Sequence, residues 1–254
     1  MWTDAIDLDE FYRSPLGNVA RRVIRRRIRA FWPSVRGMTV LGYGYATPYL
    51  QQFRTEAGRV LALSPAGQGV MPWPPGEPGL AALTWETELP LPDLSIDRLV
   101  MVHAVESSEQ LRGLMREAWR VLKGDGRMLI VVPNRSGIWA RSERTPFGHG
   151  HPYSNGQIKR VLRDNLFTPT DTGRALYVPP IDRRLVLQSA PALERIGARL
   201  FQTFAGVLLI EATKQVYAAT PRATQRQRRF IVLPGGGKPA AEGGMRRDGT
   251  PGPD

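Results

Sequence analysis

Short unbroken apolar runs recur between residues 38 and 132, separated by stretches of helical spacing or by turns rich in glycine and proline. Runs of this kind read as strands covered on both faces, and five are found, at 38–43, 59–63, 82–86, 98–103 and 127–132. Between the last two, Leu111, Leu114, Met115, Ala118, Trp119 and Leu122 recur at three- and four-residue spacing and predict an amphipathic helix over 108–122, ended by Gly124 and Gly126. A helix is expected at 46–56, with Pro48 tolerated in its first turn. The stretch 65–80, PAGQGVMPWPPGEPGL, holds too much proline and glycine for a crossover helix and is expected as a loop.

Upstream, Val19, Val23, Ile24, Ile28 and Phe31 form an apolar stripe within 9–32, opposite a face of arginines, and Pro33 ends the predicted helix. Such a helix either packs on a sheet and solvates its arginines or touches RNA or an anionic lipid surface. Downstream, 135–155 is a long polar and aromatic loop, and loops of that length inside a compact domain are usually functional or disordered. A helix is expected at 155–164, a strand at 175–179, a helix at 183–200 and a last strand at 206–211. Strands alternating with helices imply α/β architecture: a mostly parallel twisted sheet with helices on both faces. The two late strands lack a helix each, which implies a C-terminal antiparallel extension. The organisation expected is a basic amphipathic segment at 1–37, an α/β domain at 38–219 and a disordered basic tail at 220–254.

Composition narrows the chemistry. The 254 residues include no cysteine, so disulfides, zinc–thiolate sites and a thiol nucleophile are excluded. The acidic start lacks the basic region and apolar run of a signal peptide, and no apolar stretch approaches the roughly 18 residues of a membrane span. A cytoplasmic chain is expected on that basis. The net charge of +12 divides equally, +4 in 1–37, +4 in 38–219 and +4 in 220–254, so it is concentrated at the ends. Only 4 of the 35 basic residues are lysine, which fits a coding bias toward arginine as well as it fits an anionic partner.

Gly42-Tyr43-Gly44-Tyr45-Ala46 lies between the first strand and its helix, where glycines permit close backbone approach and a helix start offers free N–H groups. The lysine and hydroxyl of a phosphate loop are missing, and Thr47 replaces the third glycine of a dinucleotide fingerprint. His103 closes the fourth strand and is equally a core histidine or a catalytic base. His149 and His151 lie in FGHGHPY without a carboxylate cluster, so no metal site is expected; lining of a substrate site is better motivated. Phe147, Tyr153 and Trp139 would form an aromatic wall there or simply pack the loop.

The block 89–134 resembles the class I S-adenosylmethionine-dependent methyltransferases of the type 11 group. LPLPDLSIDRLVMVHAVE is similar to their fourth-strand region, LREAWRVLKGDGRMLIVVPN to their helix and fifth strand, and VLGYGYA to a variant of their first glycine motif. The resemblance covers about 38–134 and implies a Rossmann-like methyltransferase fold with S-adenosylmethionine as cofactor. It places Gly42, Tyr43, Gly44 and Ala46 beside the methionine part, Leu63 or Ser64 where an acidic residue normally grips the ribose, Glu86 near adenine, and His103 facing cofactor or substrate. With Ser64 in that position the charge-assisted hydrogen bond, worth roughly 1.5–3 kcal/mol, is lost. The implied reaction is methyl transfer to a small-molecule acceptor, with His103 or His151 as base where the acceptor needs one. Two other readings stand beside it: a non-catalytic binding or regulatory module on the same fold, and an RNA or protein methyltransferase that docks through its basic ends.

Overall fold

The structure is a computed structural model that describes residues 2–215. A seven-stranded sheet is its centre, in the order β3-β2-β1-β4-β5-β7-β6. β1 (Thr39–Gly44), β2 (Arg59–Pro65), β3 (Ala81–Thr84), β4 (Ile96–Val102) and β5 (Leu122–Pro133) are mutually parallel. β7 (Val207–Lys214) is antiparallel to β5 and to β6 (Phe167–Ala175), which makes the expected antiparallel extension. The carboxyl ends of β1 to β6 therefore share one edge, where ligands of open α/β sheets bind.

Side chains alternate across the pleat into two cores. Val40, Val100, Val102, Leu129 and Val131 face the first, and Leu41, Leu99, Met101, Met128 and Ile130 the second. The first core is covered by α1 (Ala5–Arg13) and α2 (Pro15–Phe31), the second by α4 (Leu111–Val121) and α5 (Asn155–Asp164). Of the stripe of α2, Ile24 and Ile28 are fully enclosed together with Ala20, while Val19, Val23 and Phe31 are half-buried.

Four sequence expectations are corrected. The helix expected over 9–32 is two: Ser14 caps α2 by accepting from the Gly17 N–H (3.0 Å), and Pro15 cannot continue α1. The helix expected over 46–56 shrinks to α3 (Thr47–Leu50) and a 3-10 turn, Gln51–Phe53, so the first crossover is nearly helix-free. The strand expected at 175–179 lies earlier, as β6. This strand, FTPTDTGRA, is a polar sheet edge without an apolar run, and its Pro169 sits at a register shift, where a missing N–H costs nothing. The helix expected over 183–200 is broken at Ser189 into α6 (Arg184–Gln188) and α7 (Ala190–Leu200), with Pro191 in the first turn of α7. The expectation for 220–254 falls outside the described residues. No described helix is long and apolar enough to cross a membrane.

The Leu-Pro element before β4 is held by one arginine. Arg120 donates to the Leu89 and Leu91 carbonyls (2.9 and 2.8 Å), to Asp93 (2.7 Å) and to Glu117 (2.7 Å), and Glu117 in turn accepts from the Leu89 N–H (2.9 Å). Hydrogen bonding to Arg120 holds the Glu117 carboxyl below its usual range. Its stabilising contribution is thus complete above the unfolded pKa of roughly 4.3 and is lost as the pH falls through the lower folded value. Arg120→Ala is expected to cost about 2 kcal/mol in a urea titration at neutral pH, because Glu117 and two carbonyls lose their donor. The deficit should shrink in acid; an equal deficit at pH 3 would contradict this account.

Candidate functional site

The residues picked out at the ends of β1 to β4 converge on the carboxyl edge of the sheet. Gly44 has φ +77, and a Cβ there would stand 2.4 Å from the Val102 carbonyl oxygen. Gly42 abuts Leu50 and Ala46, which a Cβ would meet at 2.6 and 2.7 Å. Both glycines are therefore demanded by the chain's own packing. Tyr43, Ala46 and Leu63 are buried. Ser64 is buried as well, with its hydroxyl 3.5 Å from the Gly44 carbonyl. Glu86 follows β3 and accepts from the Ser108 hydroxyl and the Gln110 N–H (3.1 Å).

His103 is the centre of a buried polar chain. It follows β4 with φ +49, a left-handed conformation uncommon outside glycine and typical of functional or strained sites. The Tyr49 hydroxyl donates to the Tyr12 oxygen (2.8 Å), and the Tyr12 oxygen lies 2.8 Å from His103 Nε2. The Tyr12 hydroxyl thus bridges Tyr49 and His103 Nε2. The other ring nitrogen, Nδ1, faces Glu106 Oε1 at 3.4 Å, and both side chains are almost completely buried. Burial, with the neighbouring Tyr49 adding to it, pushes the Tyr12 phenol well above its ordinary range, so Tyr12 stays protonated. The Gln68 amide fixes the His103 carbonyl (3.0 Å), and the Phe147 ring packs 4.9 Å from the imidazole.

Three buried polar atoms around this edge have no partner among the described residues: the Tyr43 hydroxyl, Gln68 Oε1 and Glu106 Oε2. Burial, augmented by the charge of Glu86, raises the Tyr43 phenol above its ordinary value. Unpaired groups of this kind are rare in folded proteins and call for a partner such as water, an ion or a ligand.

The volume above these groups is occupied by the chain itself. The Trp2 indole N–H donates to Glu86 Oε1 (3.0 Å), and its ring lies against Gly67. The Ala5 N–H donates to the Gln68 carbonyl (2.8 Å), and Tyr12 stacks on Tyr45 with ring centroids 5.6 Å apart. Tyr45 in turn donates to Asp9 (3.3 Å). The segment from Trp2 to Arg13 thus covers Glu86, Tyr45 and His103 together.

The two histidines expected as alternative bases, His103 and His151, lie apart. His151 donates its backbone N–H to the Glu106 carbonyl (2.8 Å), but its side chain is exposed and lines a different cleft with Arg135, Tyr153 and Gln157. His149 is exposed. Trp139 is core, its N–H bonded to the Val178 carbonyl (2.7 Å). Of the aromatic wall, Phe147 alone reaches His103. Sequence reasoning missed Tyr12 and Glu106. Glu106 had a signal, standing three residues after His103; Tyr12, 91 positions away, had none.

The parallel sheet with its glycine turn, the helix-linked strands β4 and β5, and the antiparallel β7 define a class I, Rossmann-like methyltransferase fold. Residues 41–130, about a third of the chain, match the family model of the type 11 methyltransferase domain. No curated protein matches the chain. Solved structures that it resembles include a SAM-dependent methyltransferase from Archaeoglobus fulgidus, at 18% identity over 81% of this chain and 97% of that one, with a TM-score of 0.54. A SAM-dependent methyltransferase from Thermotoga maritima is 14% identical over 82% and 94% of the two chains, also with a TM-score of 0.54. The [4+2]-cyclase SpnF is 18% identical over 78% and 82%, with a TM-score of 0.52. At these identities the likeness establishes the fold and leaves the acceptor open.

S-adenosylmethionine is the cofactor of this domain group. The polar groups at the sheet edge suit a nucleoside carrying an amino-acid tail: a carboxylate at Glu86, three unpaired buried atoms and the His103 imidazole. Trp2 and Tyr12 stand against these groups in this structure.

Proposed function

We propose that the chain transfers the methyl group of S-adenosylmethionine to a small-molecule acceptor, and that the cofactor enters by displacing the segment Trp2–Arg13. The observation that carries this reading is the cluster of unpaired buried polar atoms beside Glu86 and His103, at the edge where the matched domain group holds its cofactor. Glu86 would exchange the Trp2 indole for a cofactor group, Ser64 would offer a neutral hydrogen bond, and the turn at Gly42–Gly44 would flank the methionine part. The cofactor supplies an already activated methyl group. The protein's share is then positioning, exclusion of water and, for a hydroxyl or carbon acid, removal of a proton. His103 is suited to the last task. Its Nε2 becomes free when Tyr12 leaves, and Glu106 stands beside the ring to steady the charge that forms on it.

Calorimetry with S-adenosylhomocysteine tests this reading. The native chain is expected to bind, and the double variant Trp2→Ala/Tyr12→Ala is expected to bind about tenfold more tightly, since a smaller fraction of its molecules is self-covered. Absence of heat from both proteins at millimolar ligand would refute it. A second reading, a binding module without catalysis, is favoured by Ser64 and by the filled site. It predicts cofactor binding without methyl transfer to any acceptor.

A further inference from the structure

Away from the sheet edge, α2 and α7 border a cleft of about 1010 Å³, at the upper end of the range of small-molecule sites. Its wall is mostly apolar, built from Val19 and Val23 of α2, Ala175 of β6, Leu187 of α6 and Ala198 of α7. Six arginines stand on it: Arg22, Arg26, Arg27, Arg174, Arg184 and Arg195. Among the described residues none of the six forms an ion pair, whereas Arg29, on the same helix, pairs with Glu56. Two acids touch the cleft, Asp182 and Glu194. Glu194 is committed inward, accepting from the Tyr177 and Val178 N–H groups. The positive charge of the rim thus far exceeds the negative charge beside it.

Simple anions do not need the cleft's walls, and neutral apolar molecules do not need its arginines. We propose that the cleft binds a single-chain anionic amphiphile, with its hydrocarbon chain along Val19, Val23, Leu187 and Ala198 and its carboxylate or phosphate head among Arg22, Arg26 and Arg184. Arg22 and Arg26 are one turn apart on α2 and exposed, so a head group reaches both without disturbing the buried stripe of Ala20, Ile24 and Ile28. The site is separate from the one at His103 and stands whether or not that site takes the cofactor.

Dodecyl phosphate, kept below its critical micelle concentration, is the probe, read by calorimetry. Binding is expected to weaken at least about tenfold for dodecyl maltoside, for the variant Arg22→Glu/Arg26→Glu, and for Ala198→Trp, which fills the cleft and keeps every arginine. Thermal melts of the variants confirm that they are folded. Equal affinity for the neutral detergent, undiminished binding by Ala198→Trp, or displacement by inorganic phosphate at comparable concentration would each overturn the proposal. So would a protein that ignores monomeric dodecyl phosphate and binds only anionic phospholipid vesicles, a result that assigns the arginines to a membrane surface instead.

Discussion

His103→Asn should slow methyl transfer by roughly 10²–10⁴-fold, the usual contribution of a positioned general base, and change S-adenosylhomocysteine affinity by no more than about threefold. Asparagine is chosen because it tolerates the left-handed backbone at this position, so the fold is kept while the imidazole is removed. The assay is transfer of radiolabelled methyl to whichever amine, phenol or carboxylate supports turnover in an acceptor screen. Glu106→Gln separates catalysis from architecture. Weakening the partner of Nδ1 should lower kcat about tenfold and leave the KM for the cofactor unchanged. A role in packing alone would lower thermal stability and leave kcat where it was. Retention of more than a third of the native rate in His103→Asn would remove the histidine from the chemistry.

Gly44→Ala is expected to produce the largest loss of stability of any conservative change at the sheet edge, about 4 kcal/mol. Roughly 1–2 of these come from forcing an L-residue into the left-handed region, and the rest from driving a Cβ into the Val102 carbonyl, which is fixed by the β1–β4 ladder. Gly42→Ala is the informative contrast. Its backbone is ordinary and the Leu50 side-chain end can yield, but the Ala46 methyl is fixed, so about 2 kcal/mol is expected. Urea unfolding of the two variants checks the order. A Gly42→Ala protein less stable than Gly44→Ala would mean that backbone strain has been misassigned at this turn.

The parts of the fold that announce themselves in the sequence are those whose packing repeats a simple period. β4, α4 and β5 carry continuous apolar runs or a helical stripe because each is covered over its whole length, and α5 is marked by a capping box at Ser154 and Gln157. β6 escapes notice because an edge strand with polar faces has no such constraint. The short α3 escapes because Thr47–Leu50 and Gln51–Phe53 read as one helix until backbone geometry divides them. The site divides in the same way. Gly44 and His103 stand at strand ends, where chain order alone points to function. Their covering by Trp2, Asp9 and Tyr12 depends on contacts across some 30 to 90 residues. Those contacts leave no local pattern, since an acidic amphipathic helix reads the same whether it caps a ligand site or lies on a surface.

The position of β7 carries a consequence for biosynthesis. It is the last described element, yet it lies between β5 and β6, bonding seven residue pairs of one and eight of the other. Until residues 207–214 arrive, β5 ends the sheet with an open hydrogen-bonding edge and β6 has nothing to join. A nascent chain can assemble β1 to β5 with α4 early, but it presents β5 as an unprotected strand until translation has passed Lys214. A stalled or prematurely terminated product of this gene should therefore be a chaperone client and prone to self-association, even though it contains every residue assigned to the cofactor site.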